Sequence, residues 1–255
     1  MGRRSFRVWV RKALNRVGVD VHLVRKKSNA PYETVRPFAT YSPWNTDADF
    51  REIYERIQEN TLVDQLRCYE LWQLVGQAAK LPAGALIEVG VWQGGTGALI
   101  AAAARRSGIK DPVYLCDTFR GVVKASSKDT HYKGGEHADT SRGIVERLLN
   151  RLNLGGIRIL EGIFPDDTGG EVKSESLRFV HIDVDVYESA RGVNEWAWPR
   201  LVPGGMIVYD DYGFLGCDGV TRLVDEQRTS PDRIVLHNLN GHAVVTKLPI
   251  SAGLR

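Results

Sequence analysis

Short apolar segments alternate with segments of helical periodicity from Leu86 towards the C-terminal end of the chain. Short apolar runs predict buried strands, and apolar side chains spaced three and four positions apart predict amphipathic helices. Such alternation is typical of a mostly parallel sheet with helices on both faces. The predicted strands are 86–91, 113–117, 157–161, 178–183 and 205–210, and the predicted helices are 95–106, 140–152, 187–198 and 218–228.

The end of the chain departs from this alternation. Segments 233–236 and 243–247 have a strand-like composition and flank Asn240 and Gly241, a pair that favours a tight hairpin turn. We therefore predict an α/β fold in which a mostly parallel, Rossmann-like, seven-stranded sheet ends in an antiparallel C-terminal hairpin.

Two helices are predicted before the first strand. One begins at Asp47, with Thr46 and Asp49 in the spacing of a capping box, and the other runs from Leu62 to Ala79. Because both helices precede the sheet, we expect them to form an N-terminal cap over the functional edge of the domain.

Charge is distributed unevenly along the 255 residues, whose formal net charge is +3. Residues 1–27 contain nine Lys or Arg and one Asp, so the rest of the chain is mildly acidic. An acidic body argues against nucleic acid as a partner. Residues 3–17 show a basic amphipathic helical pattern, which could contact an anionic membrane surface, dock on a neighbouring subunit or stay solvated. Such patterns are frequent false positives for membrane binding.

The three cysteines, Cys68, Cys116 and Cys217, are far apart and form no C-x-x-C pair. An odd number of separated cysteines argues against a disulfide framework, so we expect reduced thiols and a cytoplasmic protein. Apolar runs stay below the roughly 18 residues of a membrane span. The basic N-terminus also lacks the continuous apolar core of a secretory signal.

The stretch from Leu86 to Gly97, L-I-E-V-G-V-W-Q-G-G-T-G, predicts a strand, a glycine-rich turn and the start of a helix. Glycines let the backbone bend tightly and approach a ligand, and the first N–H groups of the helix face into the bend. The spacing E-x-G-x-x-x-G-G matches neither a dinucleotide motif nor a P-loop. It resembles the first motif of class I S-adenosylmethionine (SAM) methyltransferases. A tight strand–helix turn in an unrelated α/β enzyme is the alternative.

Asp117 ends the second predicted strand. An acidic side chain at that position can accept hydrogen bonds from both hydroxyls of a ribose, and Phe119 could pack on an adenine ring. A simple turn or helix cap is the alternative role for Asp117, but the glycine motif upstream favours the ribose contact.

Four further carboxylates follow later strands: Asp183 and Asp185 after one, Asp210 and Asp211 after the next. Neighbouring parallel strands end at the same edge of a sheet, so these acids should converge there. Carboxylates in one place repel each other unless a cation neutralises them, and oxygen ligands suit Mg²⁺ or another hard divalent cation. Separate solvated loop acids are the alternative.

Five motifs in this order resemble the TylF-type (macrocin O-methyltransferase) family, which includes enzymes that methylate deoxysugar hydroxyls. They are E-V-G-V-W-Q-G-G-T (88–96), D-T-F-R-G (117–121), H-I-D-V-D-V-Y-E-S (181–189), L-V-P-G-G (201–205) and Y-D-D-Y-G (209–213). Upstream, T-L-V-D-Q-L-R-C-Y-E-L (61–71) resembles the family's helix beside the site. The resemblance implies a class I methyltransferase domain over residues 46–255, preceded by a basic arm and linker at 1–45.

The resemblance also implies roles for individual residues. Asp183, Asp210 and Asp211 would bind the metal, and Asp185 would be the catalytic base, for which a nearby histidine is the alternative. The implied cofactor-binding set is Thr61, Glu88, Gly90, Trp92, Gly94, Gly95, Thr96, Asp117, Phe119 and Asp183.

Together these features predict a SAM-dependent, divalent-metal-dependent O-methyltransferase that methylates a hydroxyl of a sugar or of a glycosylated natural product. We expect a small-molecule acceptor and a homo-oligomeric enzyme. The polar loop at 124–139 would cover the site, with His131 and His137 as possible substrate contacts.

Three other functions are compatible with parts of the sequence. A catechol or other phenolic acceptor would use the same metal chemistry. A metal-dependent glycosyltransferase would explain Asp183-Val184-Asp185 as a D-x-D motif but would leave the glycine turn and Asp117 unexplained. A non-enzymatic binding module on the same fold is possible because fold does not fix function, although the full set of acids argues against it.

Overall fold

The computed structural model describes residues 39–249 together with Tyr32 and Val35, and it shows a single sheet of seven strands. The strands are β1 (Ala85–Val89), β2 (Val113–Asp117), β3 (Ile157–Glu161), β4 (Leu177–Ile182), β5 (Leu201–Tyr209), β6 (Arg233–His237) and β7 (Ala243–Lys247). Their order is β3-β2-β1-β4-β5-β7-β6. Strands β1 to β5 pair in parallel, whereas β7 runs antiparallel to both β5 and β6. The predicted fold class is therefore confirmed.

Six α-helices of the described region pack on the two faces of this sheet. They are α1 (Ala48–Ile57), α2 (Gln65–Ala78), α3 (Gly95–Arg106), α4 (Arg142–Arg151), α5 (Tyr187–Ala197) and α6 (Asp218–Glu226). Helices α1 to α4 share one core with the sheet, and α5 and α6 share the other. Within the described residues, no helix is both long and apolar enough to cross a membrane. The amphipathic pattern at 3–17 lies outside them.

Alternating side chains of the central strands supply both cores. In β2, Val113 and Leu115 face the core beneath α1 to α4, while Tyr114 and Cys116 face the core beneath α5 and α6. All four side chains are buried. This two-residue period explains why a short, uniformly apolar run forms a strand covered on both sides.

Side-chain caps fix the starts of the two N-terminal helices. Asp47 caps α1 by accepting from Phe50 N at 3.1 Å, so the predicted capping box of Thr46 and Asp49 is wrong. The Thr46 hydroxyl instead donates to a carbonyl three residues earlier. Asp64 caps α2, which begins three residues later than predicted. Asx side chains at these positions satisfy N–H groups that a helix leaves unpaired.

Strand β5 begins at Leu201, four residues before the predicted start. Pro203 and Gly204 indicate a loop in the sequence, but the structure accommodates them within the strand. The register of β4 against β5 shifts between Leu177 and Phe179, which is the kind of irregularity that lets proline sit in a strand.

The register of the parallel strands brings their carboxyl ends to one edge. Val89 pairs with Ile182, which in turn pairs with Tyr209. Asp183, the residue after β4, donates its N–H to the Val89 carbonyl at 2.9 Å. Asp210, the residue after β5, donates its N–H to the Ile182 carbonyl at 3.0 Å. Strand pairing alone therefore places the two aspartates beside each other, where ligands bind in open α/β folds.

Candidate active site

A pocket of about 310 Å³ opens at the carboxyl ends of β1, β2, β4 and β5. It is bounded by the turn after β1, the segment before α2, the loop after β2 and the segments after β4 and β5. Nine of the predicted site residues line it: Thr61, Gly90, Trp92, Thr96, Asp117, Asp183, Asp185, Asp210 and Asp211.

The glycine-rich turn brings segments of the chain into close contact. Gly90 has a φ of +89°, and a Cβ there would lie 1.6 Å from the Asp183 carbonyl oxygen. Gly94, also at +89°, is the N-cap of α3. Gly95 donates its N–H to the Asn60 carbonyl at 2.9 Å, where a Cβ would clash. Gly94 and Gly95 do not line the pocket, so their cofactor contact stays a prediction, while their packing role is clear.

Asp117 is held rigidly at the end of β2. Its Oδ2 accepts from Val91 N at 2.6 Å and from Trp92 N at 2.9 Å, and its Oδ1 accepts from Phe119 N at 2.7 Å. A carboxylate offers about four acceptor sites, these three donors occupy three of them, and the residue lines the pocket. The carboxylate thus fixes the glycine turn and can also receive one further donor.

Two aromatic residues near this carboxylate adopt left-handed backbone conformations, Trp92 at a φ of +46° and Phe119 at +51°. Trp92 lines the pocket, and its indole Nε1 donates to Asp139 Oδ1 at 2.9 Å. Phe119 packs against the core beneath α1 to α4 and does not line the pocket. Its stacking on adenine stays a prediction.

Glu88 lies beneath the pocket with no exposed surface. Its Oε1 is 2.9 Å from Nδ1 of His181, the residue opposite it in the β1–β4 register. Burial raises the pKa of Glu88, and the contact with His181 partly offsets that shift. A direct cofactor contact by Glu88 stays a prediction, because the side chain is covered by the chain itself.

Asp183, Asp210 and Asp211 converge in the pocket as predicted. One carboxylate oxygen from each lies within 4.8 Å of the others. Burial raises the pKa of Asp183 well above its ordinary value, and the charges of Asp210 and Asp211 add to this effect. Burial raises the pKa of Asp211 likewise, with further contributions from Asp185 and Asp210. The arrangement therefore concentrates negative charge that a bound cation would stabilise.

Asp210 differs from its two neighbours because cationic groups from distant segments surround it. Arg67 of α2 donates from Nη1 to Oδ2 of Asp210. On the other side, Nε2 of His242 is 2.8 Å from Oδ1, and Nε2 of His181 is 3.7 Å from the same oxygen. Burial opposes ionisation, but the two histidines and Arg67 together hold the pKa of Asp210 well below its usual range. These partners could not be predicted from the sequence, because they lie far from Asp210 along the chain.

His242 also contacts Glu70, whose Oε2 lies 2.7 Å from His242 Nδ1. The side chains of Asn238 and Asn240, in the hairpin turn, donate to the same carboxylate. Helix α2 and the β6–β7 turn are thus joined to Asp210 through one buried imidazole, whose pKa is raised by Asp210 and Glu70 against the opposing effect of burial.

Asp185 occupies a tight bend between β4 and α5. Its φ is +64°, a conformation that Asp tolerates better than most residues. The Asp185 N–H donates to Asp211 Oδ2 at 2.8 Å. Burial raises the pKa of Asp185, and a hydrogen bond from the Tyr132 hydroxyl and the charge of His137 oppose that shift. Tyr132, which the sequence did not single out, is therefore part of the site.

The loop at 124–139 contributes two residues to the pocket, Tyr132 and His137. His131 lies outside the pocket lining, and its ring is close to Gly216. Of the two histidines considered as substrate contacts, only His137 is therefore placed to reach a ligand.

The strand order, with five parallel strands followed by an antiparallel hairpin, and a pocket at the carboxyl ends of the strands define a class I methyltransferase fold. A solved structure described as the O-methyltransferase NovP superposes with a TM-score of 0.64 at 23% identity, covering 74% of this chain and 83% of NovP. At that identity the likeness supports the fold alone.

The chain belongs to the macrocin O-methyltransferase (TylF) family, whose model matches residues 52–237. The predicted family resemblance is thereby confirmed. Membership also favours a methyltransferase over the glycosyltransferase and over the non-enzymatic binding module.

Two characterised relatives share part of the sequence. One is the 8-demethyl-8-(2,3-dimethoxy-alpha-L-rhamnosyl)-tetracenomycin-C 4'-O-methyltransferase of Streptomyces olivaceus, 30% identical over 144 residues. That match covers 52% of this chain and 55% of the relative, so the chain spans about half of its length. The other is the mycinamicin III 3''-O-methyltransferase of Micromonospora griseorubida, 28% identical over 190 residues, or 69% of this chain and 74% of the relative.

Proposed function

We propose that this protein is a SAM-dependent, divalent-metal-dependent O-methyltransferase that methylates a hydroxyl of a sugar or of a glycosylated natural product. The observation that carries the proposal is the convergence of Asp183, Asp210 and Asp211 in the pocket that also contains Gly90 and Asp117. An acceptor site and a nucleoside site would thus share one cavity.

Cofactor binding would use the wall formed by the turn after β1 and the end of β2. The remaining acceptor site on Asp117 suits one ribose hydroxyl, and Gly90 and Trp92 line the adjacent surface. When bound, SAM supplies a methyl group already activated by a sulfonium centre. The protein therefore has mainly to position the two reactants, which is a large contribution to catalysis.

The acidic cluster fits a hard divalent cation such as Mg²⁺. Its ligands are oxygens, as such an ion prefers. Burial and then the neighbouring carboxylates raise the pKa values of Asp183 and Asp211, and Arg67 opposes these shifts only in part. Asp183, Asp210 and Asp211 would hold the ion, with Asp210 kept ionised by its contacts to Arg67 and His242. When bound, such an ion lowers the pKa of an acceptor hydroxyl.

Asp185 would accept the proton that the acceptor hydroxyl loses. It lines the pocket beside Asp211, and its raised pKa makes it a stronger base than an ordinary aspartate. Two hydrogen bonds restrict the orientation of this residue. Tyr132 donates one to the carboxylate, and the Asp185 backbone N–H donates the other to Asp211. His137 is the alternative base that the pocket offers.

The acceptor class rests on the relatives, both of which are named as O-methyltransferases of natural products and one of which is named for a rhamnosyl compound. The direct test is transfer of a labelled methyl group from SAM to matched acceptors: a glycosylated natural product, its aglycone and a catechol. Labelling of the glycosylated compound alone is expected. Labelling of the catechol alone would replace the sugar acceptor with a phenolic one.

Binding measurements test the cofactor independently of the acceptor. Calorimetry should detect S-adenosylhomocysteine (SAH) binding, whereas a uridine diphosphate sugar should not bind. The opposite result would reverse the choice between methyltransferase and glycosyltransferase.

A further inference from the structure

Asp129 is an acidic side chain buried to 3% exposure in the loop between β2 and α4. Its Oδ1 accepts from the backbone N–H of Tyr187 at 2.9 Å. Its Oδ2 accepts from Ser126 N at 2.8 Å and from Ser126 Oγ at 2.9 Å. These donors satisfy a carboxylate that would otherwise be costly to bury.

The contact with Tyr187 supplies the N-terminal cap of α5 from outside the helix. Val186 is the N-cap residue, and its side chain makes no capping hydrogen bond. Asp129 therefore pairs with the first N–H of the helix, although the N-cap residue is not one of the Ser, Thr, Asp or Asn residues that ordinarily supply a capping oxygen. A helix start fixed in this way also fixes the residues immediately before it.

Those preceding residues include Asp185, the proposed base, which lies two positions before Tyr187. The bend is held at two points: Asp185 N donates to Asp211 Oδ2, and Tyr187 N donates to Asp129 Oδ1. Between them, Asp185 has a φ of +64°, which needs support from its surroundings. Asp129 provides one part of that support from the loop.

The start of α6 is built around the same carboxylate. A Cβ added at Gly219 would lie 2.1 Å from Asp129 Oδ1 and 2.9 Å from Tyr187 Cβ. Next to Asp129, the Thr130 hydroxyl donates to Asp218, the first residue of α6. The loop, α5 and α6 therefore meet at Asp129, and glycine at 219 leaves the space that its oxygen occupies.

Neighbouring contacts fix the same part of the loop. Ser189 Oγ donates to the Val123 carbonyl at 2.8 Å, and Lys128 Nζ lies 2.9 Å from Glu188 Oε1. Glu188 and Ser189 belong to the first turn of α5. The segment at 123–130 is thus attached to α5. Tyr132, two residues after this segment, lines the pocket.

We propose that Asp129 is a positioning residue for the methyl-transfer reaction: by capping α5 it holds Asp185 in the orientation needed to accept the acceptor proton. This role rests on the proposed function, because it requires Asp185 to act as the base. Asp129 does not line the pocket, so its loss should slow the chemical step and leave cofactor binding intact.

The test compares Asp129→Ala and Asp129→Asn in the full-length protein. Asp129→Ala should lower kcat by about 10²-fold, the order expected when a reacting group is misplaced by about 1 Å. SAH affinity by calorimetry and KM for SAM should stay within about twofold of wild type under the same positioning argument. Asp129→Asn keeps an oxygen that can accept from Tyr187 N, so its kcat should lie between that of the wild type and that of Asp129→Ala.

Asp47→Ala is the matched control, because Asp47 also caps a helix, α1, and does not line the pocket. It should lower thermal stability and leave kcat unchanged. Gly219→Ala is a second route to the same displacement, since its methyl group would push Asp129 from its place. Its kcat should fall with SAH affinity retained.

Equal kcat in wild type and Asp129→Ala would overturn the positioning role, as would equal losses in Asp129→Ala and Asp47→Ala. If Asp129→Ala does not fold, Asp129→Asn decides: wild-type kcat together with wild-type kcat in Gly219→Ala would reject the proposal. Absence of methyl transfer in the wild type with every acceptor would instead count against the proposed function.

Discussion

Arg67 donates a hydrogen bond to Asp210, so a guanidinium from the N-terminal helices neutralises one carboxylate at the end of β5. The two residues are 143 positions apart in the chain. Both side chains are almost fully buried, and a second contact joins Arg67 Nε to Asp64 Oδ2 at 2.8 Å. The contact ties helix α2 to the edge of the sheet where the site lies.

Removing this arginine should destabilise the protein strongly. Arg67→Met keeps much of the side-chain bulk but leaves Asp210 with fewer partners in a buried setting. We expect the free energy of unfolding in urea to fall by about 3 kcal/mol, the lower part of the range for breaking a buried ion pair, because His242 still contacts Asp210.

Arg106→Met is the control for that variant. Arg106 pairs with Asp49 at the surface, where the two side chains are 51% and 62% exposed. Exposed pairs contribute about 1 kcal/mol or less. Equal losses in the two variants would show that the Arg67 contact is no stronger than a surface pair.

Stability should depend on pH through His181. Burial alone would lower its pKa, but the neighbouring carboxylates of Asp210 and Glu88 raise the pKa to about 9. The folded state therefore holds a proton that the unfolded state releases near pH 6.5. The resulting stabilisation is fully present below about pH 6.5 and is lost as the pH rises towards about 9.

The measurement is urea denaturation in EDTA at several values from pH 6.5 to pH 9. The raised pKa values of Asp183 and Asp211 also make the free energy of unfolding fall as the pH rises, in any variant that retains these residues. The difference in the free energy of unfolding between wild type and His181→Gln therefore reports the contribution of the histidine. This difference should shrink by about 3 kcal/mol from about pH 6.5 to about pH 9. A difference that does not change with pH would show that His181 is neutral in the folded protein.

Asp117→Ala should weaken SAH binding by about 1–3 kcal/mol in calorimetry, because a ribose hydroxyl would lose its partner. The variant also frees the N–H groups of Val91 and Trp92. Asp139→Ala is therefore the control, since it removes the partner of the Trp92 indole and leaves Asp117 in place. Unchanged affinity in Asp117→Ala would reject the ribose contact, and similar losses in both variants would assign the effect to the turn.

Asp185→Asn and Asp211→Asn should separate base from metal ligand. Asp185→Asn should leave Mg²⁺ affinity unchanged and lower kcat by about 10²–10⁴-fold, as expected for loss of a general base. Asp211→Asn should weaken Mg²⁺ binding while SAH affinity stays nearly constant. If Asp185→Asn lost Mg²⁺ binding and Asp211→Asn kept it, Asp185 would be the metal ligand and Asp211 the candidate base.

The strand alternation and the strand-end acids could be predicted because each depends on local pattern. The apolar runs mark the strands, and the register of parallel neighbours then places Asp183 beside Asp210 without any knowledge of side-chain packing. The C-terminal hairpin was likewise predictable from Asn240-Gly241 between two strand-like segments.

The partners of these acids could not be predicted in the same way. Arg67 and His242 lie on elements far from Asp210 in sequence, and only tertiary packing brings them to its two oxygens. The packing roles of Gly94 and Gly95 could not be predicted from the sequence either. A glycine required for chain contact and a glycine required for ligand approach look identical in a sequence.

The central claim is that the three-aspartate cluster binds a divalent cation that methyl transfer requires. The most direct measurement is methyl transfer from SAM to a glycosylated acceptor after the enzyme has been stripped with EDTA and its metal content checked, followed by titration with Mg²⁺. We expect activity to disappear on stripping and to return on titration in the wild type, with Asp211→Asn needing a higher Mg²⁺ concentration. Full activity in the metal-free enzyme would contradict the claim and leave Asp183, Asp210 and Asp211 as hydrogen-bonding groups only.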